Sequence, residues 1–243
     1  MRLTTTTTGS GPQRVALVHG LGADAAVWGP LIEIMTASGK YTVTAVNLRG
    51  HGPSARASSY GIEEMADDLV ETLPSGLHSV VGHSLGGSVL PRAVARLAPA
   101  RAVYLDPGFG LPLPTSGVAG RLFWMAPLLT LGFAQLAQSR SSAAARAAYS
   151  PETRALLDDA KKHFDGRMAI GVFRDVAFHP VEVKPPAVPS TIVLSDQSPA
   201  VLPDPLAARL EEQGWEIRRI RGVQHDMHLE DPKRTFEAIA DVL

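Results

Sequence analysis

The stretch Gly82-His83-Ser84-Leu85-Gly86 sets a serine between two glycines, where an apolar run meets a helix-like segment. A G-x-S-x-G sequence in that context is a tight strand-to-helix turn with the serine at its tip. Such a turn lifts the Ser84 hydroxyl clear of the strand. It leaves the Leu85 amide at a helix N-terminus, where it can donate to a developing oxyanion. A serine hydroxyl is a weak nucleophile at neutral pH. It needs a base, and the base needs an acid to orient it. The expected chain order is serine, acid, histidine. Asp196 follows the apolar run 190–195, and His225 stands three residues after Gly222. Each would lie just past the C-terminal end of a different strand, where open parallel sheets carry their sites. Asp106 also ends an apolar run, before Pro107, and is the second candidate acid. The expectation favours Asp196.

Other residues invite chemistry and have blander readings. His228 follows His225 in Gln224-His225-Asp226-Met227-His228 and is read as a pocket or structural histidine. A His-x-x-His pair alone falls short of a metal site, which needs further ligands at metal spacing. His83 is expected to pack behind the turn, and His51 and Arg49 to be structural. Trp28, Phe123 and Trp124 are candidates for an apolar substrate pocket, with plain packing as the alternative.

These residues need a frame. Apolar runs at 14–19, 42–47, 79–82, 101–106 and 190–195 read as strands buried on both faces. The run 216–221 alternates polar and apolar residues, as an edge strand does. The threonines at 4–8, before Gly9-Ser10-Gly11-Pro12, read as a short edge strand and turn. Helical patterns lie between the runs: Val27, Leu31, Ile34 and Met35 share one face, and Ile62, Met65, Ala66, Leu69 and Leu73 another. Asp204-Pro205 and Asp231-Pro232 read as helix N-caps. Alternating β and α elements imply an α/β fold: a mostly parallel sheet with helices on both faces. Residues 107–187 break the rhythm. They contain no convincing strand and read as a helical lid inserted between two strands, with 1–106 and 188–243 as the core.

Four segments together resemble the α/β-hydrolase superfamily. His19-Gly20-Leu21-Gly22 is similar to its oxyanion-hole segment. Asn47-Leu48-Arg49-Gly50-His51-Gly52 is similar to its D-x-R-G-x-G loop, with Asn47 in place of the aspartate. Gly82 to Gly87 is similar to its nucleophile elbow, and Gly222 to His225 with Glu230-Asp231-Pro232 to its histidine loop. The resemblance implies Leu21 N–H as the second oxyanion donor beside Leu85 N–H, and Glu230 as a support for the histidine. It implies a serine esterase, acting without a cofactor or metal on small-to-medium apolar esters or lactones. Carbon–carbon bond hydrolysis, acyl transfer and cofactor-free perhydrolysis use the same triad and stay open, as does a ligand-binding receptor on this fold.

Bulk properties fit. The 243 residues carry a formal net charge of −1, so there is no basic surplus to attract a nucleic-acid backbone, and no nucleic-acid partner is expected. There is no cysteine, which excludes disulfides and thiolate chemistry and suits a cytoplasmic setting. The N-terminus lacks the apolar core of a signal peptide. The longest apolar run, 122–137, is too short to span a bilayer and is interrupted by Pro127, so no transmembrane segment is expected.

Overall fold

The six apolar or alternating runs form six parallel strands: β2 (Gln13–Val18), β3 (Tyr41–Val46), β4 (Ser79–His83), β5 (Arg101–Leu105), β6 (Ser190–Ser195) and β7 (Glu216–Ile220). The threonine run becomes β1 (Thr5–Thr8), antiparallel to β3 at one edge. The sheet order is β1-β3-β2-β4-β5-β6-β7, so the alternating strand β7 closes the other edge. The computed structural model describes residues 1–110, 113–125, 147, 149–196 and 202–243.

Helices cover both faces: α1 (Gly29–Ala37), α2 (Ile62–Thr72), α3 (Leu85–Leu97), α7 (Asp204–Glu212) and α9 (Pro232–Ile239). Strand residues alternate between two cores. Val15 and Leu17 pack with Leu31 and Met35 on one face, while Ala16 and Val18 pack with Met65, Leu69 and Val89 on the other. That alternation follows from the two-residue period of a strand and explains why the central runs read as continuously apolar. Asp231 caps α9 as expected, its Oδ1 accepting from Arg234 N at 3.0 Å. Asp204 does not cap α7. Pro203 is the N-cap residue and Asp204 the first helical one, where its carboxylate takes Arg219 Nη2 at 2.7 Å.

Between β5 and β6 the described residues form α4 (Gly117–Met125), α5 (Pro151–Lys162) and α6 (Met168–Phe178), with no strand among them. Most of the apolar stretch 122–137 lies outside the described residues. A short helix, α8 (Met227–Glu230), follows His225. Among the described residues no helix is long and apolar enough to cross a membrane.

One polar knot holds the loop after β3 to α2. Arg49 donates through Nε to Asp68 Oδ2 at 2.6 Å and through Nη2 to Asp68 Oδ1 at 2.9 Å, and also reaches the carbonyls of Ser59 and Glu64. Asp68 is fully buried. Removing one partner of such a pair strands a buried charge, at a cost of about 3–5 kcal/mol. Asp68→Ala is therefore expected to lower stability by about that amount in urea unfolding. A loss near zero would mean that Arg49 reaches solvent without its partner.

Candidate active site

Ser84 sits between β4 and α3 at φ 51°, a left-handed conformation that side chains other than glycine rarely adopt. Close packing explains the two glycines. A Cβ on Gly82 would lie 2.6 Å from Gly86 O, and one on Gly86 would collide with Val18 O. The turn is clamped by backbone bonds from Ser84 N to Leu105 O (3.0 Å) and from Gly108 N to Ser84 O (3.2 Å). Leu85 opens α3, so its N–H belongs to the first turn, which has no carbonyl partner within the helix. His83 packs behind the turn. It is buried, and its Nε2–H donates to His225 O at 3.0 Å, holding the histidine loop.

His225 and Ser84 line one cavity. His225 Nδ1 donates to Asp106 Oδ2 at 3.3 Å, which leaves Nε2 as the ring's other nitrogen. Asp106 is buried and also accepts from Ser195 N (2.8 Å) and from the Ser195 hydroxyl. Burial pushes the His225 imidazolium down, but the Asp106 hydrogen bond and the charges of Asp226 and Asp106 outweigh it. The net shift is upward.

The expectation for Asp196 is not met by this geometry. Asp196 is exposed, and its Oδ1 accepts from Gly222 N at 2.6 Å, pinning the start of the histidine loop. Ser195, one residue earlier, faces Asp106, and successive residues of an extended chain face opposite ways. The carboxylate that meets His225 thus stands at the end of β5 rather than β6. Asp106 reaches inward from a backbone at φ 39°, and aspartate tolerates the left-handed region better than most residues.

Two buried histidines hold the loop after β2. His19 Nδ1–H donates to Gly20 O (2.8 Å) while Nε2 accepts from Leu48 N (3.1 Å). His51 Nδ1–H donates to Arg49 O (3.2 Å) while Nε2 accepts from Gly22 N (3.1 Å). Each ring must be neutral to accept. Burial lowers His51 and His83 to about 4, with the His225 charge adding to the effect on His83. Burial also holds His19 and His228 well below the ordinary histidine range. These groups bind protons on unfolding, near 6.5, but not in the fold. Stability is thus complete above about pH 6.5 and falls as pH drops toward 4, each group contributing about 1.4 kcal/mol per pH unit. Urea unfolding between pH 6.5 and 4.5 should show uptake of roughly three to four protons. A slope of one proton or fewer would mean that these rings are protonated in the fold.

The cavity around Ser84 has a volume of about 70 Å³. The 20–23 loop, including Leu21, forms one wall, and His83, Asp226, His228 and Leu229 another, with Leu157 and Lys161 of α5 also lining it. Of the four proposed pocket residues only His228 is among these. Trp28 is fully buried behind it, the two ring centroids 4.3 Å apart. Phe123 and Trp124 stack on each other at 5.1 Å, Trp124 meets Phe178 at 5.6 Å, and Trp124 Nε1 donates to Pro114 O. They pack within the insertion and do not line the cavity. A larger cleft of about 730 Å³ runs between the 57–61 loop and α6, but contains neither Ser84 nor His225.

The sequence profile of the alpha/beta hydrolase family matches residues 15–238, nearly the whole chain. The chain belongs to the alpha/beta hydrolase family. The chain is 35% identical over 106 residues to a pimeloyl-[acyl-carrier protein] methyl ester esterase of Methylococcus capsulatus, a match covering 44% of this chain and 40% of that protein. It is 38% identical over 92 residues to a 2-(acetamidomethylene)succinate hydrolase of Mesorhizobium japonicum, covering 36% and 32% of the two chains. The matches thus span about two fifths or less of these relatives' lengths. An enol-lactonase from Burkholderia xenovorans superposes with a TM-score of 0.75 at 18% identity, over 99% of this chain and 95% of that one, which shows the shared fold.

In this alpha/beta hydrolase the substitution at Asn47 keeps the loop's hydrogen bonding. Asn47 Oδ1 accepts from Ala25 N at 2.9 Å, as a carboxylate would, and Nδ2 donates to Thr4 Oγ1 at 3.2 Å, which a carboxylate cannot do. Glu230 supports the histidine loop, its Oε2 accepting from Gln224 N at 2.6 Å. Ser195, Asp226, Leu157 and Lys161 were not singled out by sequence. Ser195 ends a strand beside the acid and was legible in principle, whereas the two α5 residues carry no local signature.

Proposed function

We propose that the chain is a carboxylic ester hydrolase working through an acyl-enzyme. Ser84 is the nucleophile, His225 the general base and acid, and Asp106 the orienting carboxylate. The observation that carries this reading is the shared cavity. A strained turn presents Ser84 there beside a histidine whose Nδ1 is held by a buried carboxylate. The esterase relatives support the reaction class.

The steps follow from the geometry. With Nδ1–H committed to Asp106, His225 Nε2 takes the proton of Ser84 as the hydroxyl attacks the ester carbonyl. The Leu85 and Leu21 amides receive the oxyanion, a donor pair in which each member typically contributes roughly 3 kcal/mol to the barrier. His225 then protonates the leaving alcohol, and a water deprotonated by the same nitrogen releases the acid. Helices α4 to α6 act as the lid, with α5 bringing Leu157 and Lys161 over the site. No step needs a cofactor, and the partner is a small-molecule ester. The small cavity favours short acyl groups over long ones, since sites for drug-sized ligands run to about 300–1,000 Å³.

The test is turnover of p-nitrophenyl esters of graded chain length, together with fluorophosphonate labelling read by intact mass. Multiple turnovers with preference for short chains and one label per chain are expected. A single slow turnover with retained product would favour the receptor reading.

A further inference from the structure

Asp226 and Lys161 bring opposite charges to the cavity that Ser84 and His225 line. Asp226 is engaged within the protein. Its Oδ2 accepts from the hydroxyl of buried Tyr149 at 3.4 Å, and its Oδ1 stands 4.0 Å from His83 Nε2. Among the described residues it forms no ion pair with Lys161. Lys161 is held far less. Its ammonium meets Asp158 Oδ1 at 3.6 Å, an i,i+3 pair on the surface of α5 in which the lysine is half exposed and the aspartate more so. Such a pair is weak, and its lysine is free to exchange it for another anion.

The helix places this lysine. Leu157 and Lys161 stand one turn apart on α5, so their side chains leave the same face. Leu157 is buried there and lines the cavity, and Lys161 lines it one turn further along, where the face opens to solvent. A position that continues a buried apolar face is ordinarily filled by another apolar residue. A lysine in its place keeps its stem against the wall and its ammonium at the wet end. We propose that Lys161 is a specificity residue that pairs with a carboxylate on the substrate. The preferred esters are then short ones with a free carboxylate a few bonds from the scissile group. This inference rests on the ester hydrolase reading. A compact charge on a flexible stem can follow an anion carried on either half of the ester, and the two halves are separated by experiment. The partly closed walls strengthen the attraction beyond what bulk water allows.

The experiment measures kcat/KM by pH-stat on matched esters at low ionic strength, where the pairing is least screened. For the acyl half, monoethyl succinate is compared with ethyl 4-oxopentanoate, which has a methyl where the carboxylate has an oxygen, and with cationic ethyl 4-aminobutyrate. For the alcohol half, acetoxyacetate is compared with acetoxyacetone and with cationic acetylcholine. Wild type is expected to prefer the anionic ester to the neutral one by roughly 5- to 50-fold in at least one arm. The arm that shows it tells which half carries the charge. In Lys161→Met, which keeps the stem, that ratio should fall toward one. In Lys161→Glu it should fall below one, and Lys161→Arg should keep most of it. Lys162→Met removes the same charge one residue along, from a side chain that pairs with Asp159 at 3.0 Å and does not line the cavity, and should leave the ratio where it was. Fluorophosphonate labelling of Ser84 in every variant confirms an intact site. A wild-type ratio near one in both arms, a preference for the cationic esters, an unchanged ratio in labelled Lys161→Met, or an equal loss in Lys162→Met overturns the inference and leaves the hydrolase reading standing. No turnover of any ester and no labelling of wild type would overturn both.

Discussion

Replacing Ser84 with alanine should reduce kcat by about 10⁶, the loss seen when the serine of a comparable triad is removed. The expectation follows from what the rest of the site is built to do. The Ser84 turn is strained, its glycines are required by contact, and His83 anchors it to the histidine loop. Conserving strain of order 1–3 kcal/mol at one residue makes sense only if that residue's side chain must be presented. Alanine accepts the same backbone at no greater steric cost, so the fold should survive and the melting temperature should stay within a few degrees. Residual activity from the oxyanion donors alone is expected at roughly 10³ to 10⁴ above the uncatalysed rate. Labelling by a fluorophosphonate should vanish with the hydroxyl. A variant that still takes one label, or keeps more than about a hundredth of the wild-type rate, has its nucleophile elsewhere.

How the sequence announced this site differs from residue to residue. Ser84 was legible because its signal is local: two glycines, a buried strand before and a helix after define a turn with few alternatives. His225 was legible because Gly222 and the Glu230-Asp231-Pro232 run frame it, and Glu230 and Asp231 bond to the backbone as that framing requires. The five inner strands, β2 to β6, were legible because burial on both faces leaves an apolar run that tolerates little else, whereas β1 was marked by its threonines before a turn and β7 by its edge-strand alternation. The carboxylate that meets His225 was not, for a physical reason. Asp106 and Asp196 both follow parallel neighbours β5 and β6, whose ends lie side by side, so topology alone allows either. What separates them is the direction of a side chain at a strand end, set by a φ of 39° at Asp106. Composition and periodicity carry no trace of it. For Phe123 and Trp124 the sequence left pocket lining and plain packing both open. Their aromatic character marks burial, and in an insertion that can be met by stacking on each other and on Phe178 as well as by lining a pocket.

The two carboxylates give the second large expectation. Asp106→Asn should lower kcat by about 10⁴, as in the serine protease precedent, while Asp196→Asn should cost less than tenfold. Asp106 accepts from Ser195 N, Ser195 Oγ and His225 Nδ1, among others. An asparagine has one acceptor oxygen. If that oxygen stays with the Ser195 pair, the amide NH₂ faces His225 and favours the tautomer whose Nε2 carries the proton, which cannot accept one from Ser84. Among the described residues Asp196 accepts from Gly222 N, and an asparagine oxygen can do the same. The pH profile gives an independent reading. Catalysis needs neutral His225, whose pKa is raised in part by the Asp106 hydrogen bond and charge, so the acid limb of kcat/KM should lie above the ordinary histidine value of about 6.5. Asp106→Asn removes that support and should move the limb to lower pH, while Asp196→Asn should leave it in place. A merely structural role for Asp106 would lower activity without moving the limb. The opposite ranking of the two variants, with Asp196→Asn the damaging one and the limb following it, would return the acid to the end of β6.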